Sequence, residues 1–274
     1  MHSKPIASSQ NPRVKFLRSL RLRKYRRREG CFLIEGIRIV GEALACGAPV
    51  ETLVYAPDLL VSERAKLLAQ EVEASRRLPV TGQVFRSLSN REDPQGLAAV
   101  VRIEDQQLNG IVMSKSALVL IAYQLRDPGN LGSIIRTADA AGATGLVIVE
   151  PSVDLYDPQA VRASMGSLFA LPIVRVPDEG ALVPWLAQVR GTGLDLLVAA
   201  SSAHGDRDHF EVDYCQPTVL LVGSERHGLP TSICEASDIL IRLPMVGRAT
   251  SLNVSAATAV LVYEVVRQRL ADCA

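Results

Sequence analysis

Three stretches of this 274-residue chain gather polar side chains and glycines at the ends of apolar runs. The first holds Asn130, Gly132 and Arg136 behind the turn Asp127-Pro-Gly. Gly132 and Arg136 are four apart, so on a helix Arg136 projects over the place where Gly132 leaves the backbone bare. A guanidinium there can hold a phosphate with two parallel hydrogen bonds. The second stretch holds Gly223, Glu225 and Gly228, and glycines on both sides of a carboxylate let a ligand approach the backbone closely. The third runs Leu243-Pro-Met245-Val-Gly247 to Ser251-Leu252-Asn253-Val-Ser255. Its hydroxyl and amide side chains sit at a loop-to-helix junction, where they can cap free N–H groups.

Taken singly, these are an ordinary helix-surface arginine and an ordinary strand–loop–helix corner. The second stretch is neither a GxGxxG fingerprint, since its glycines are five apart, nor a Walker A loop, since it lacks Gly-Lys-Ser/Thr. His227 has no second metal ligand beside it. The five cysteines (Cys31, Cys46, Cys215, Cys234, Cys273) are scattered without a CxxC pair, so no metal site is expected and reduced cytosolic thiols are.

The elements that must carry these loops are legible from Ala117 onward. Ala117–Tyr123 is a continuous apolar run, followed by further runs at 146–149, 171–174, 194–200, 218–222 and 239–243. Helical patterns separate most of them; one spans 130–141 with Asn130 as its expected N-cap, and a long one follows Ser255 to Arg269. About six continuous apolar strands alternating with helices mean an α/β domain with a parallel sheet covered on both faces. Ligands of such sheets sit beyond the carboxyl ends of the strands.

The first hundred residues differ in charge. Residues 1–102 carry 18 Lys and Arg against 10 Asp and Glu, or +8, while the remainder is −7 and the whole chain +1. A basic half implies a polyanionic partner. Nine of the cations are Arg13, Lys15, Arg18, Arg21, Arg23, Lys24, Arg26, Arg27 and Arg28, interleaved with Phe16, Leu17, Leu20 and Leu22. That pattern predicts one helix with a packed face and a phosphate-binding face, which contributes affinity without base choice. Short strands at 31–35, 53–55 and 97–101, helices from Gly36 to Ala45 and over 62–74, and a strand edge at 84–88 predict a small α/β domain. The expected domains are therefore 1–102 and 117–274, with a polar linker at 103–116. No run of about eighteen apolar residues marks a membrane span, and the first residues lack a signal-peptide core. A cytoplasmic protein is expected.

The three loops, in their order and separation, resemble the SpoU/TrmH family of RNA ribose 2′-O-methyltransferases, in the SPOUT class. The carriers are Asn130-x-Gly132-x-x-x-Arg136, Gly223-x-Glu225-x-x-Gly228 and Leu243-Pro-Met245-x-Gly247-x-x-x-Ser251-Leu252-Asn253-Val-Ser255. The likeness covers 117 to about 270. The first hundred residues, through Phe32-Leu-Ile-Glu-Gly36 and Pro94-Gln-Gly96, are similar to the L30e-like α/β substrate-binding domain of ribosomal-RNA members. This resemblance implies a parallel sheet whose C-terminal part forms a trefoil knot, which no periodicity would suggest, and a homodimer that shares its active site. It implies S-adenosylmethionine as cofactor, held against Gly223, Leu243 and Leu252 with Met245 and Gly228 beside them. Leu243-Pro-Met245 and the Gly223 turn are suited to that role, since adenine needs an apolar slot and a few backbone partners. Arg136 is implied as the activating residue, oriented with the ribose by Asn130, Glu225, Ser251 and Asn253. A guanidinium is a costly free base; clamping an RNA phosphate that polarises the 2′-OH is physically easier, and the sequence leaves both routes open.

The leading expectation is thus methyl transfer to ribosomal RNA, most naturally 23S, because the appended basic domain suits a large structured RNA. Transfer RNA is the nearest alternative, although members acting on it tend to have short terminal extensions. A non-catalytic RNA-binding assembly factor would not need Arg136, Glu225, Ser251 and Asn253 intact. A nucleotide-dependent oxidoreductase would need the missing glycine fingerprint.

Overall fold

The computed structural model describes residues 4–224 and 227–271. The chain divides into two compact units, Met1–Glu104 with Asp154–Ala170, and Asp105–Val153 with Leu171–Ala274.

The first unit begins with two short helices, α1 (Pro12–Ser19) and α2 (Arg23–Glu29), where one basic helix was expected. Leu22 is extended between them. The break is stabilised by Arg26, whose Nη1 donates to the carbonyls of Leu20 at 2.9 Å and Arg21 at 2.7 Å. β1 (Cys31–Glu35), α3 (Ile37–Ala45), β2 (Val50–Tyr55), α4 (Glu63–Glu71), β3 (Arg77–Pro79), α5 (Gly82–Leu88) and β4 (Leu97–Arg102) follow. The sheet order is β1-β4-β2-β3, with β4 antiparallel to both neighbours and β3 parallel to β2. Val14 and Leu17 of α1 pack with Val84, Phe85 and Leu88 of α5 over this sheet. Residues 84–88 are helical, which corrects the expected strand edge. Val84, Phe85 and Leu88 fall on one helix face, and Thr81 Oγ1 caps that helix by accepting from Val84 N at 3.4 Å.

In the second unit, β5 (Leu118–Tyr123) is buried along its whole length. It leads into α6 (Pro128–Ala140) and β6 (Gly145–Val149); α7 (Pro158–Ser164) belongs to the first unit. Then come β7 (Ile173–Val176), α8 (Glu179–Arg190), β8 (Leu197–Ser201), the two-residue β9 (Arg207–Asp208), β10 (Thr218–Val222), α9 (Thr231–Glu235), β11 (Ile239–Arg242) and α10 (Val254–Ala271). The sheet has seven strands, one more than expected because the short β9 joins its edge, in the order β7-β6-β5-β10-β8-β11-β9. Every pairing is parallel. The stretch after residue 104 also belongs here: Gln106 bridges Val174, and Ile111 is buried in this unit's core.

α10 is pinned to the amino ends of β5 and β10. Arg269 donates to the carbonyls of Ser116 (2.8 Å), Ala117 (3.1 Å), Tyr214 (3.0 Å) and Gln216 (2.8 Å). Burial lowers the pKa of this guanidinium, and its four carbonyl partners offset the cost of taking the charge out of water. α10 also packs along α6.

Cys31 and Cys234 are free, and burial first, then the neighbouring acids Glu51 and Glu29, pushes the Cys31 thiol up to about 11. Cys215 is disulfide-bonded, which corrects the expectation of five reduced thiols; separation along a chain does not reveal which α-carbons come within bridging reach. Among the described residues no helix is long and apolar enough to cross a membrane, and no cluster of metal ligands occurs.

Candidate active site

β5 and β10 are neighbours whose last residues stand in register, Ala122 opposite Val222. The helix after β5 leads to β6 and β7 on one side, while β8, β11 and β9 lie on the other. The carboxyl edge of β5 and β10 is therefore the point where the winding of the sheet reverses, and a ligand of an open α/β sheet is bound there. The first two polar loops leave the sheet at this edge.

In the first loop Asp127, not Asn130, caps α6: its Oδ1 accepts from Asn130 N at 2.7 Å. Pro128 presets the first helical turn, which moves the cap one step before it and corrects the expected role of Asn130. The consequence is functional. With the cap supplied by Asp127, the Asn130 side chain faces the third loop. Asn253 Nδ2 donates to Asn130 Oδ1 at 2.9 Å, across 123 residues of sequence. Asn253 Oδ1 in turn caps α10, accepting from Ser255 N at 2.9 Å and Ala256 N at 3.4 Å. Ser255 Oγ donates to Asn253 Oδ1 at 2.6 Å and lies 3.5 Å from Asn130 Oδ1. The segment after β11 thus returns past β8 and β10 to the start of α6. Asp127 and Ser255 were not among the expected site residues; an Asx-Pro step and a second hydroxyl beside Asn253 were the available signals.

Arg136 lies on α6, exposed, and its guanidinium makes no hydrogen bond or ion pair among the described residues. Gly132, four residues before it, is buried. An exposed guanidinium without a partner among the described residues is available to take an anion from outside.

The second loop folds back on itself. Gly228 N donates to Ser224 O at 3.0 Å, His227 N to Ser224 Oγ at 3.3 Å, and Gly228 has a left-handed φ of 64°. A Cβ on Gly223 would sit 2.3 Å from the Gly228 carbonyl carbon, so no other residue fits. The close approach that these glycines permit is between the two sides of the loop. Glu225 lies outside the described residues.

The third loop is open. Ser251 is exposed, as are Met245 and Leu252, while Leu243 is half-buried. Exposed apolar side chains and open backbone at Gly247 on this loop, and the tight turn at Gly223 on the second, are the kinds of group an adenosine takes, apolar faces with backbone partners at their edges. The chain's own residues therefore fit S-adenosylmethionine.

The basic segment divides by burial. Arg13, Lys15, Lys24, Arg27 and Arg28 are exposed. Lys24 and Arg28 lie over the Tyr25 ring, at 4.9 and 4.8 Å from its centroid. Arg18, Arg21 and Arg23 are half-buried; Arg18 donates to Ser87 Oγ at 3.3 Å and Arg21 to the carbonyls of Leu88 and Ser89. Arg26 is only 2% exposed and is paired with Asp154, Nη2 to Oδ2 at 2.5 Å. Contrary to expectation it is not placed to contact RNA, because a buried and neutralised guanidinium cannot reach a phosphate.

Comparison with known proteins agrees with this geometry. Residues 117–263 match the model of the SpoU rRNA Methylase family, and residues 11–99 that of the MRM3-like substrate binding domain. A 23S rRNA (uridine(2479)-2′-O)-methyltransferase of Streptomyces viridochromogenes is 38% identical over 248 residues, 90% of this chain and 86% of the relative. The 23S rRNA (guanosine(2553)-2′-O)-methyltransferase RlmP of Bacillus subtilis is 30% identical over 95% of this chain and 98% of its own. Among solved structures, the SpoU methyltransferase AviRb from Streptomyces viridochromogenes in complex with AdoMet superposes with a TM-score of 0.87 at 36% identity, over 96% of this chain and 99% of that one. An AdoMet-bound rRNA methyltransferase from Sinorhizobium meliloti gives 0.84 at 33% identity, over 97% and 98%.

Proposed function

The chain belongs to the SpoU rRNA methylase family, and from that premise we propose that it transfers a methyl group from S-adenosylmethionine to a ribose 2′-OH of 23S ribosomal RNA. The observation that carries the reading is the hydrogen bond from Asn253 to Asn130, which joins the third loop to the first at the reversal point of the sheet. A ribosomal RNA substrate is favoured over transfer RNA by the match of residues 11–99 to a substrate-binding domain. The two relatives named above act on a uridine and a guanosine, so the modified base is not inferred from them. A ribosomal RNA substrate is consistent with a cytoplasmic location.

When bound, the cofactor supplies an electrophilic methyl group on sulfur. Everything else is the task of this chain. Gly223, Gly228, Leu243, Met245 and Leu252 are proposed to hold the adenosine part by backbone groups and apolar faces. Arg136 faces the RNA, and either accepts the hydroxyl proton or grips the phosphate that polarises it. The phosphate clamp demands no deprotonated guanidinium and is the easier route. Asn130, Asn253 and Ser251, with Glu225, fix the ribose so that its oxygen meets the methyl in line, where alignment is the main source of rate. Arg13, Lys15, Lys24, Arg27 and Arg28 add sequence-independent phosphate contacts.

The strand order supports the family's trefoil knot, because β10 is inserted between β5 and β8 and the segment after β11 returns to α6. Exposed Met245, Val246 and Leu252 on the third loop support a homodimer, since a facing subunit would cover them. Sedimentation of the full chain as a monomer at micromolar concentration would count against a shared site.

The test of the reaction is transfer of label from S-adenosylmethionine to unmodified ribosomal RNA by the wild type and by Arg136→Ala, followed by nucleoside mapping. A 2′-O-methyl nucleoside in 23S RNA that is lost in the variant is expected. Label confined to transfer RNA would overturn the substrate; RNA binding without any transfer would favour an assembly factor.

A further inference from the structure

The first unit carries an open cavity of about 450 Å³, within the range of roughly 300–1,000 Å³ typical of ligand sites. Its floor is apolar, formed by Leu33 of β1, Ile39 of α3, Leu88 of α5 and Val161 of α7. Arg91 and Arg162 stand in its lining as well. Two carboxylates share that lining, and both are already engaged. Glu35 accepts from Ser89 Oγ at 2.5 Å and from Asn90 N at 3.4 Å, which ties down the loop that carries Arg91. Asp157 caps α7 by accepting from Gln159 N at 2.9 Å. A third guanidinium, Arg21, is held by the Leu88 and Ser89 carbonyls and serves as wall.

Arg91 and Arg162 differ from these groups. Their guanidinium groups make no hydrogen bond or ion pair among the described residues. Gly36, with φ of 109°, makes room for one of them: a Cβ there would lie 2.9 Å from Arg91 Nη2. The site therefore offers an apolar floor together with two planar cations that have no hydrogen-bond or ion-pair partner among the described residues, in a lining where three arginines outnumber the carboxylates of Glu35 and Asp157. An unstacked nucleotide has the complementary chemistry, a flat base face and a phosphate, and proteins recognise single-stranded RNA by that combination. A neutral apolar ligand would leave both cations without a partner.

We propose that this cavity receives one unstacked nucleotide of the RNA substrate, its base on the Leu33–Leu88–Val161 floor and its phosphate held by Arg91 and Arg162. The proposal rests on the RNA methyltransferase reading and deepens it. Arg91 lies in the stretch that matches the substrate-binding domain, whereas Arg162 lies in the stretch that matches the methylase, so substrate selection is assigned to both.

The experiment uses the full-length protein and an unmodified 23S RNA transcript containing 4-thiouridine. Ultraviolet cross-linking followed by peptide mapping is expected to mark the peptides bearing Arg91 or Arg162, a readout that does not require catalysis. In parallel, RNA affinity, KM and kcat are measured for Arg91→Ala/Arg162→Ala and for Gln159→Trp, which fills the cavity mouth without changing charge. Both variants are expected to raise RNA Kd and KM about tenfold with kcat within about twofold, more than the loss from Arg13→Ala/Lys15→Ala, which removes two exposed cations elsewhere. AdoMet affinity should not move. Cross-links confined to other peptides overturn the proposal, and so does an unaffected Gln159→Trp beside a weakened arginine pair, which would leave only phosphate contacts at the surface. Cross-links at the cavity with no methyl transfer by wild type would instead retain the subsite and overturn the methyltransferase reading.

Discussion

Asn253 and Asn130 are 123 residues apart in sequence, yet the Nδ2 of the first donates to the Oδ1 of the second at 2.9 Å. The bond joins the start of α10 to the start of α6 at the reversal point of the sheet. Asn130→Ala removes this bond and leaves the α10 cap in place, while Asn253→Ala removes both, the cap being worth about 1 kcal/mol. Each is expected to lower kcat about tenfold or more, and the double variant should be no slower than Asn253→Ala, the non-additivity of residues that act as a unit. Additive losses in single-turnover rates would mean that the pair does not position the ribose jointly.

Arg136 is exposed and has no hydrogen-bond or ion-pair partner among the described residues, so its replacement has little there to destabilise. Arg136→Ala is expected to reduce kcat/KM by about 10²–10⁴ with an unchanged melting temperature. Arg136→Lys should remain slow, because an ammonium lacks the planar two-donor geometry. A lysine variant near the wild-type rate would exclude the two-donor clamp and leave a point-charge contact to the phosphate.

The parallel sheet was legible because its strands are apolar throughout, and the three loops because Gly, Asn and Ser recur at the ends of those runs. Strand order was not, since inserting β10 between β5 and β8 depends on contacts that no local pattern encodes. Local competition explains the misplaced cap: Asn130 and Asp127 are both good caps, and Pro128 decides between them. Arg26 looked like its neighbours because its partner, Asp154, is 128 residues away. The same distance hid the cavity, one wall of which comes from α7.

Gly223 should tolerate no side chain. A Cβ 2.3 Å from the Gly228 carbonyl carbon forces the loop open, at a cost of about 1–3 kcal/mol. Gly223→Ala is expected to weaken AdoMet binding at least about tenfold by calorimetry. Gly110→Ala, at a glycine with open space around it, is the neutral control. Wild-type affinity in Gly223→Ala would remove this loop from the cofactor site.

Arg26 and Arg27 are adjacent but do different work. Arg26→Ala leaves Asp154 buried and unpaired and should destabilise the protein by about 3–5 kcal/mol in urea titrations. Arg27→Ala should leave stability unchanged and instead flatten the salt dependence of RNA binding, by roughly one unit of slope if it contacts one phosphate. Reversal of the two phenotypes would refute the division of the basic segment by burial.

Glu264 links the last helix to pH. Hydrogen bonds from Arg267, at 2.8 and 2.9 Å, hold its carboxyl below the ordinary carboxylate range, against burial, which raises it; Gln268 adds a further donor at 2.8 Å. Gln268 also accepts from Tyr214 N at 2.9 Å and donates to the Val212 carbonyl at 2.9 Å, so the carboxylate buttresses the attachment of α10. A depressed folded-state pKa contributes stability that is fully present above the unfolded value of about 4.3 and is lost as pH falls through the folded value. The wild type should therefore lose this increment on acidification below about pH 5, whereas Glu264→Gln should lack it at neutral pH and lose less over the same interval. Parallel stability–pH curves for the two proteins would show that Glu264 is not linked to folding in this way.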